Sequence, residues 1–197
     1  MPGFFYSTMN ILVIDNYDSF TYNLVHFLEP MGKNVEVHRS DEISADSIGN
    51  YERVVYSPGP GLPSESKIMY DILQKWGKQI PILGICLGHQ AIVEFFGGTL
   101  TNLEEPLHGR SIQSYQTNGS DLIFRSVPTT FETGRYHSWG IKQEDLPSVL
   151  QPTAIDNNGY VMGLKHHMYN IRGLQFHPES VLTPNGKTIL KNWIELC

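Results

Sequence analysis

Ile80-Pro81-Ile82-Leu83-Gly84-Ile85-Cys86-Leu87-Gly88-His89-Gln90 is the stretch that decides the fold. It begins as a short apolar run, the pattern of a strand buried on both faces. It ends as the start of an apolar helix that runs from Gly88 to Phe96 and stops at Gly97-Gly98. Between them, Gly84-Ile85-Cys86-Leu87-Gly88 has the glycine–any–nucleophile–any–glycine form of a sharp strand-to-helix turn. The two glycines let the chain turn without side-chain clashes. The turn lifts Cys86 toward a cleft beyond the strand ends. A thiol at a helix N-terminus is expected to be acidified, and the thiolate is the nucleophilic form. The N–H of Leu87 would face the oxygen of an attacked carbonyl. The alternative is a structural cysteine in a βα turn, since cysteine is often buried.

The same alternation extends outward. Ile11-Leu12-Val13-Ile14 is a second apolar run. Phe20, Leu24, Phe27, Leu28 and Met31 follow at helical spacing, with Asp18 or Ser19 as cap and Gly32 as stop. Asn34–His38 and Arg53–Tyr56 read as strands, Ser44–Gly49 as a short helix or turn, and Glu65–Trp76 as a helix. Strands separated by helices imply βαβ units and a parallel sheet. Beyond Gly98 the pattern changes. Arg110–Tyr115, Asp121–Phe124, Val149–Asp156 and Tyr160–Lys165 read as strands joined by turns, with hairpin signals at Asn118-Gly119 and Asn158-Gly159. A last strand, Ile171–His177, precedes a helix expected to be capped by Thr183 with Pro184 at its first position. The expected architecture is a flavodoxin-like α/β domain: an open, mostly parallel sheet, helices on both faces, and antiparallel strands added in the C-terminal half. Residues 1–9 read as a tail and 10–197 as the domain.

Composition excludes several classes. The 197 residues are 40% hydrophobic and 17% charged, ordinary for a globular chain and wrong for disorder. Fourteen Lys and Arg against twenty Asp and Glu give a net charge of −6, which argues against a nucleic-acid partner held by bulk charge. Two cysteines exclude a disulfide framework and a Cys-rich zinc site. The longest apolar stretch, Ile80–Leu87, is far below the roughly 20 residues of a membrane span. The opening MPGFFYSTM has neither the basic segment nor the apolar core of a signal peptide. A cytoplasmic protein with reduced thiols, away from membranes, is expected.

A cysteine nucleophile needs a base and an orienting carboxylate. Among eight histidines, His177-Pro178-Glu179 stands out. Proline favours an extended residue before it, and residues two apart in an extended chain point the same way, so Glu179 can reach the His177 imidazole. The segment also follows a core strand, which places it at the sheet edge that carries Cys86. Taken alone, His-Pro-Glu reads better as a solvated polar turn; the elbow reverses that balance. His26 and His38 read as surface residues, His166-His167 diverge, and His89 either tunes the elbow or lies on a helix surface. No metal-ligand spacing is present, and neither a metal nor another cofactor is expected. Ser57-Pro58-Gly59-Pro60-Gly61-Leu62-Pro63 is a stiff loop at a strand's C-terminal end, where glycines admit close approach of a ligand to backbone N–H groups. It lacks the pattern of a phosphate-binding loop.

Three pieces in this order resemble class I glutamine amidotransferases of the Cys-His-Glu triad type: Ser57–Gly61, Gly84–Gln90 and Gln175–Ser180. The resemblance covers nearly the whole chain from Asn10. Asp15-Asn16-Tyr17-Asp18-Ser19-Phe20-Thr21-Tyr22-Asn23, together with His108-Gly109-Arg110 and Arg135-Tyr136-His137-Ser138, is similar to the glutaminase subunits of anthranilate synthase and of aminodeoxychorismate synthase. Trp139 departs from the usual leucine of that subgroup. The resemblance implies that Cys86 attacks the side-chain amide of L-glutamine, His177 handles the protons and Glu179 orients His177. It implies an oxyanion site at Leu87 and Gly59. It places Gly59, Pro60, Gly61, Gln90, Ser138 and Trp139 around the glutamine. It also implies a larger chorismate-binding partner, component I of either synthase, that receives the ammonia. Anthranilate synthase is the favoured of the two. A γ-glutamyl peptidase-like cysteine hydrolase and a non-catalytic binding subunit on the same fold are the competing readings.

Overall fold

Leu12 and Ile14 pack with one apolar cluster while Ile11 and Val13 pack with another. This is the period-2 alternation of a strand buried on both sides. The computed structural model describes residues 9–31, 34–118 and 121–197. In chain order the strands and helices are β1 (Asn10–Asp15), α1 (Thr21–Leu28), β2 (Asn34–Arg39), β3 (Arg53–Tyr56), α2 (Lys67–Trp76), β4 (Ile82–Ile85) and α3 (Leu87–Phe95). Then follow β5 (Thr101–Asn102), β6 (Arg110–Gln116), β7 (Thr130–Arg135), β8 (Trp139–Gly140), β9 (Leu150–Asp156), β10 (Val161–His166), β11 (Ile171–Leu174) and α4 (Gly186–Leu196).

The main sheet has nine strands in the order β2-β1-β3-β4-β11-β10-β9-β6-β7. From β2 to β11 all neighbours are parallel. From β10 to β7 they are antiparallel. β5 and β8 form a separate two-stranded ribbon. One face carries α1 and α4, whose Leu24, Leu28, Ile189 and Trp193 pack on Ile11, Val13, Leu83 and Ile85. The other carries α2 and α3, whose Ile68, Ile72 and Ile92 pack on Leu12, Ile14, Val54 and Ile82. The order 2-1-3-4 puts a topological switch point between β1 and β3, where open α/β sheets bind ligands beyond the carboxyl ends of their strands.

The expected architecture is therefore present, with local corrections. Asp121–Phe124 is not a strand: Leu122–Phe124 is a turn of 3₁₀ helix. The Asp121 carboxylate accepts from the Ile123 N–H, and Asn192 of α4 donates to the Ile123 and Arg125 carbonyls. Those bonds satisfy backbone groups that a strand would have offered to the sheet. Ser44–Gly49 resolves into a 3₁₀ helix over Ala45–Asn50. Thr183 does not cap α4, which begins at Gly186; its hydroxyl is committed elsewhere, as described below. The Asn158-Gly159 hairpin joins β9 to β10, with Gly159 at φ +79°. The expected stop at Gly32, Gly119 of the expected Asn118-Gly119 turn and all but the last residue of the 1–9 tail lie outside the described residues. Among the described residues no helix is long and apolar enough to cross a membrane.

Candidate active site

Cys86 lies between the end of β4 and the first turn of α3, at φ 52° and ψ −99°. A non-glycine residue with positive φ is uncommon, and such strain persists only where its surroundings enforce it. Here they do. A Cβ at Gly84 would fall on the carbonyl of Gly88, and one at Gly88 would lie 2.6 Å from Tyr56 Cβ. The glycines thus serve close approach of α3 to β4 and β3, while the cysteine itself takes the strained backbone. The Cys86 N–H continues the sheet ladder to the Leu174 carbonyl at 2.8 Å. Leu87, the first residue of α3, has an N–H with no intrahelical acceptor. That donor is free for an oxyanion beside the sulfur.

His177 comes from the neighbouring strand, three residues past β11. Its Nδ1–H donates to Glu179 Oε1 at 2.6 Å, with both side chains buried. The Thr183 hydroxyl fastens this segment, donating to the His177 carbonyl at 2.7 Å and accepting from the Gly134 N–H at 2.9 Å. Burial disfavours the imidazolium, but hydrogen bonding and charge from Cys86 and Glu179 outweigh it and raise His177 to about 10. Nε2 has no hydrogen bond of proper geometry among the described residues. The Cys86 sulfur nevertheless lies close enough to act on its charge. Such contacts commonly tighten only around bound substrate.

The Asp15–Asn23 segment builds two walls. The Asn16 backbone N–H donates to Ser57 Oγ at 2.9 Å, and its Nδ2 donates to the Ser57 carbonyl at 3.0 Å. Gly59 packs so tightly there that a Cβ would meet Asn16 Cβ at 2.6 Å and Leu87 Cδ2 at 2.8 Å. Phe20 stands edge-on to His177 with ring centroids 5.7 Å apart, and Tyr136 does so at 4.9 Å. Asp18, whose carboxyl is raised by burial, lies within charge range of both His177 and Glu179.

A cavity of about 390 Å³ opens beside the sulfur, lined by Gly59, Pro60, Gly61, Leu62, Cys86, Gln90, Tyr136, His137, Ser138 and Trp139. It brings together every residue that the resemblance places around a glutamine. His177, Glu179 and Leu87 stand outside that lining, behind or beside Cys86. Gln90 Nε2 donates to the Trp139 carbonyl at 3.0 Å and to Gln175 Oε1 at 3.2 Å. The Trp139 carbonyl also accepts from His137 Nδ1 at 2.8 Å. It is therefore saturated within the chain. The Gln90 Oε1 is left as the acceptor for a substrate donor.

Several residues escaped the site assignment made from sequence. Tyr136 and His137 line the cavity within a segment whose match to a subgroup carried no role. Gln175 lies in the His177 motif yet contacts Cys86. His89 is not on a helix surface but fully buried, its ring packed where a Cβ on Gly173 would fall. Burial lowers it to about 3. His137 is lowered to about 4 by burial and by the nearby Arg135 charge. Both are neutral at pH 7. Arg135 points away from the cavity and pairs with Asp156 at 2.8 Å in the sheet interior. No cluster of three metal-ligating side chains occurs among the described residues.

Fold and site together define an open α/β sheet with a Cys–His–Glu constellation at the carboxyl ends of β4 and β11, an arrangement suited to acyl transfer through a thioester. The chain belongs to the class I glutamine amidotransferase family, whose model matches residues 12–196. It is 44% identical to anthranilate synthase component 2 of Cyanophora paradoxa over 188 residues, 93% of this chain and 97% of the relative. It is 41% identical to the aminodeoxychorismate/anthranilate synthase component 2 of Bacillus subtilis, over 94% of this chain and 95% of that one. Among solved structures, a glutamine amidotransferase from Thermotoga maritima superposes with a TM-score of 0.72 at 20% identity, covering 95% of this chain and 81% of its own.

Proposed function

We propose that the chain is the glutaminase subunit of an anthranilate synthase, acting in the cytoplasm as one amidotransferase domain over residues 10–197. The observation that carries the reading is the strained Cys86 elbow set beside the buried His177–Glu179 pair, 2.6 Å apart. The cavity takes L-glutamine with its side-chain amide at the sulfur and its amino-acid end toward Gln90, Ser138 and Trp139. Gln90 Oε1 accepts from the substrate ammonium. Gly59, Pro60 and Gly61 form the opposite wall.

The Cys86 thiolate adds to the amide carbon, and the carbonyl oxygen takes the negative charge. The Leu87 N–H, with a backbone N–H from the Gly59 segment, stabilises that charge. His177 gives a proton to the amide nitrogen, the C–N bond breaks and ammonia leaves a glutamyl thioester. His177 then takes a proton from water, whose oxygen adds to the thioester. The C–S bond breaks and glutamate leaves. Glutamine and water become glutamate and ammonia, with the thiolate and imidazolium restored. Glu179 holds the imidazole in the tautomer and orientation that both proton transfers need.

Ammonia passes to a chorismate-binding component I. The names of the relatives support tryptophan synthesis as the destination. The double name of the Bacillus subtilis relative favours, as a second reading, a subunit shared with aminodeoxychorismate synthase. The test is glutamate release by the purified chain, alone and with each of the two large subunits, with Cys86→Ser as control. Activation by the anthranilate synthase subunit, lost in Cys86→Ser, is expected. Activation by both subunits would establish sharing. No glutamate under any condition would refute the glutaminase reading.

A further inference from the structure

Gln175 is fully buried, and the two ends of its amide face two parts of the site. Its Nε2–H donates to Cys86 Sγ at 3.7 Å, and its Oε1 accepts from Gln90 Nε2 at 3.2 Å. Strand register places it there. Gly173 lies opposite Gly84 and Leu174 opposite Ile85 in the parallel β4–β11 pair. One step further, Gln175 stands beside Cys86, and residues paired across parallel strands present side chains to the same face. Phe176 then enters the apolar core, and His177 returns to the side of Cys86. The sulfur therefore meets an amide donor and an imidazole from one short segment that follows β11.

An amide donor differs from the imidazole in a useful way. It cannot lose its proton to the sulfur, and its hydrogen bond strengthens when the acceptor carries charge. We propose that Gln175 is a further member of the reaction centre: its N–H steadies the Cys86 sulfur as attacking thiolate and again as leaving thiolate when the thioester is hydrolysed. Through Gln90 the same side chain sets the distance between the sulfur and the end of the cavity that takes the amino-acid group. The proposal rests on Cys86 being the nucleophile.

The experiment measures alkylation of Cys86 by iodoacetamide against pH, in a Cys197→Ser background that leaves Cys86 as the sole thiol. Gln175→Met keeps the length of the side chain and removes the donor. Its half-maximal alkylation is expected about one pH unit higher. Its kcat/KM for glutamine should fall about tenfold or more, mostly in kcat. Gln175→Glu keeps an acceptor for Gln90 but sets a carboxylate against the sulfur, and should move the alkylation profile further in the same direction. Circular dichroism and thermal unfolding establish that each variant is folded. A Gln175 that only packs the core would lower the melting temperature and leave the half-maximal pH in place. That result in either folded variant overturns the proposal. Alkylation does not depend on glutamine, so a shifted profile in a chain that releases no glutamate alone or with either large subunit would sink the glutaminase reading and leave the support of the Cys86 thiolate by Gln175 standing.

Discussion

Gly88→Ala tests the argument that the elbow is a matter of backbone approach. The new Cβ would sit 2.6 Å from Tyr56 Cβ and 2.9 Å from the Tyr56 carbonyl oxygen, against an ordinary contact of 3.4 Å or more. The shortfall at Tyr56 Cβ is 3.4 − 2.6 = 0.8 Å. Tyr56 cannot yield easily: it is fully buried in β3, and its hydroxyl donates to the Met69 carbonyl at 3.0 Å. The first turn of α3 must therefore lift from β3, taking the Leu87 N–H with it. Overpacking of this kind costs about 1–3 kcal/mol. At about 2–4 °C per kcal/mol for a chain of this size, the melting temperature should fall by roughly 2–12 °C. A displacement approaching an ångström at the oxyanion donor should cost about 100-fold in kcat. Thermal unfolding by circular dichroism and glutamate release at saturating glutamine read the two effects. Unchanged melting and unchanged kcat would refute the steric argument. A destabilised but fully active variant would show that Gly88 serves packing without positioning the site.

Glu179→Gln should lower kcat about 10²–10⁴-fold with a much smaller change in KM, because the imidazole loses the partner that sets its tautomer. Glu179 is also one of the groups that raise His177, so the alkaline limb of the rate profile should move to lower pH in that variant. Thr183→Val should orphan the Gly134 N–H, costing about 1–3 kcal/mol in urea denaturation, and leave the His177 carbonyl with its bond from the Ser180 N–H; Thr183→Ser should restore both Thr183 bonds. Stability should fall in acid. His89 and His137 are held below their unfolded value of 6.5, at about 3 and about 4, so the unfolded chain binds their protons first. Their contribution is complete above pH 6.5 and is lost as pH falls through the folded values. At pH 5 each should cost about 2 kcal/mol relative to pH 7. Urea midpoints between pH 5 and 7.5 check this, and His137→Gln should flatten the curve if it folds.

The elements that could be read from sequence are those whose causes are local. Apolar runs at Ile11–Ile14 and Ile82–Ile85 declare buried strands because period and composition are properties of the segment alone. The elbow is legible because glycine–x–cysteine–x–glycine answers a steric demand within five residues. His177 and Glu179 are legible as a pair because they are two residues apart, although the extended chain expected between them is a turn, closed by the Ser180 N–H donating to the His177 carbonyl at 3.2 Å. Asp121–Phe124 misled because its apolar residues fit a strand equally well, and the choice was made by Asn192, some 70 residues away in α4.

What only the tertiary structure decided has the same physical cause throughout: it depends on which strands lie side by side and in what register. Nothing near Arg135 in the chain announces its buried bond to Asp156. Nothing near Phe20 announces that its ring will stand against His177. Gln175 reaches Cys86 across 89 positions because β11, the last strand in sequence, inserts beside β4 in the sheet. The sequence by itself determined most of the elements and pointed to Cys86, His177 and Glu179 as the candidate centre. The sheet order determined what surrounds them, because hydrogen bonds and ring contacts act over a few ångströms and only the folded sheet brings such distant residues within that range.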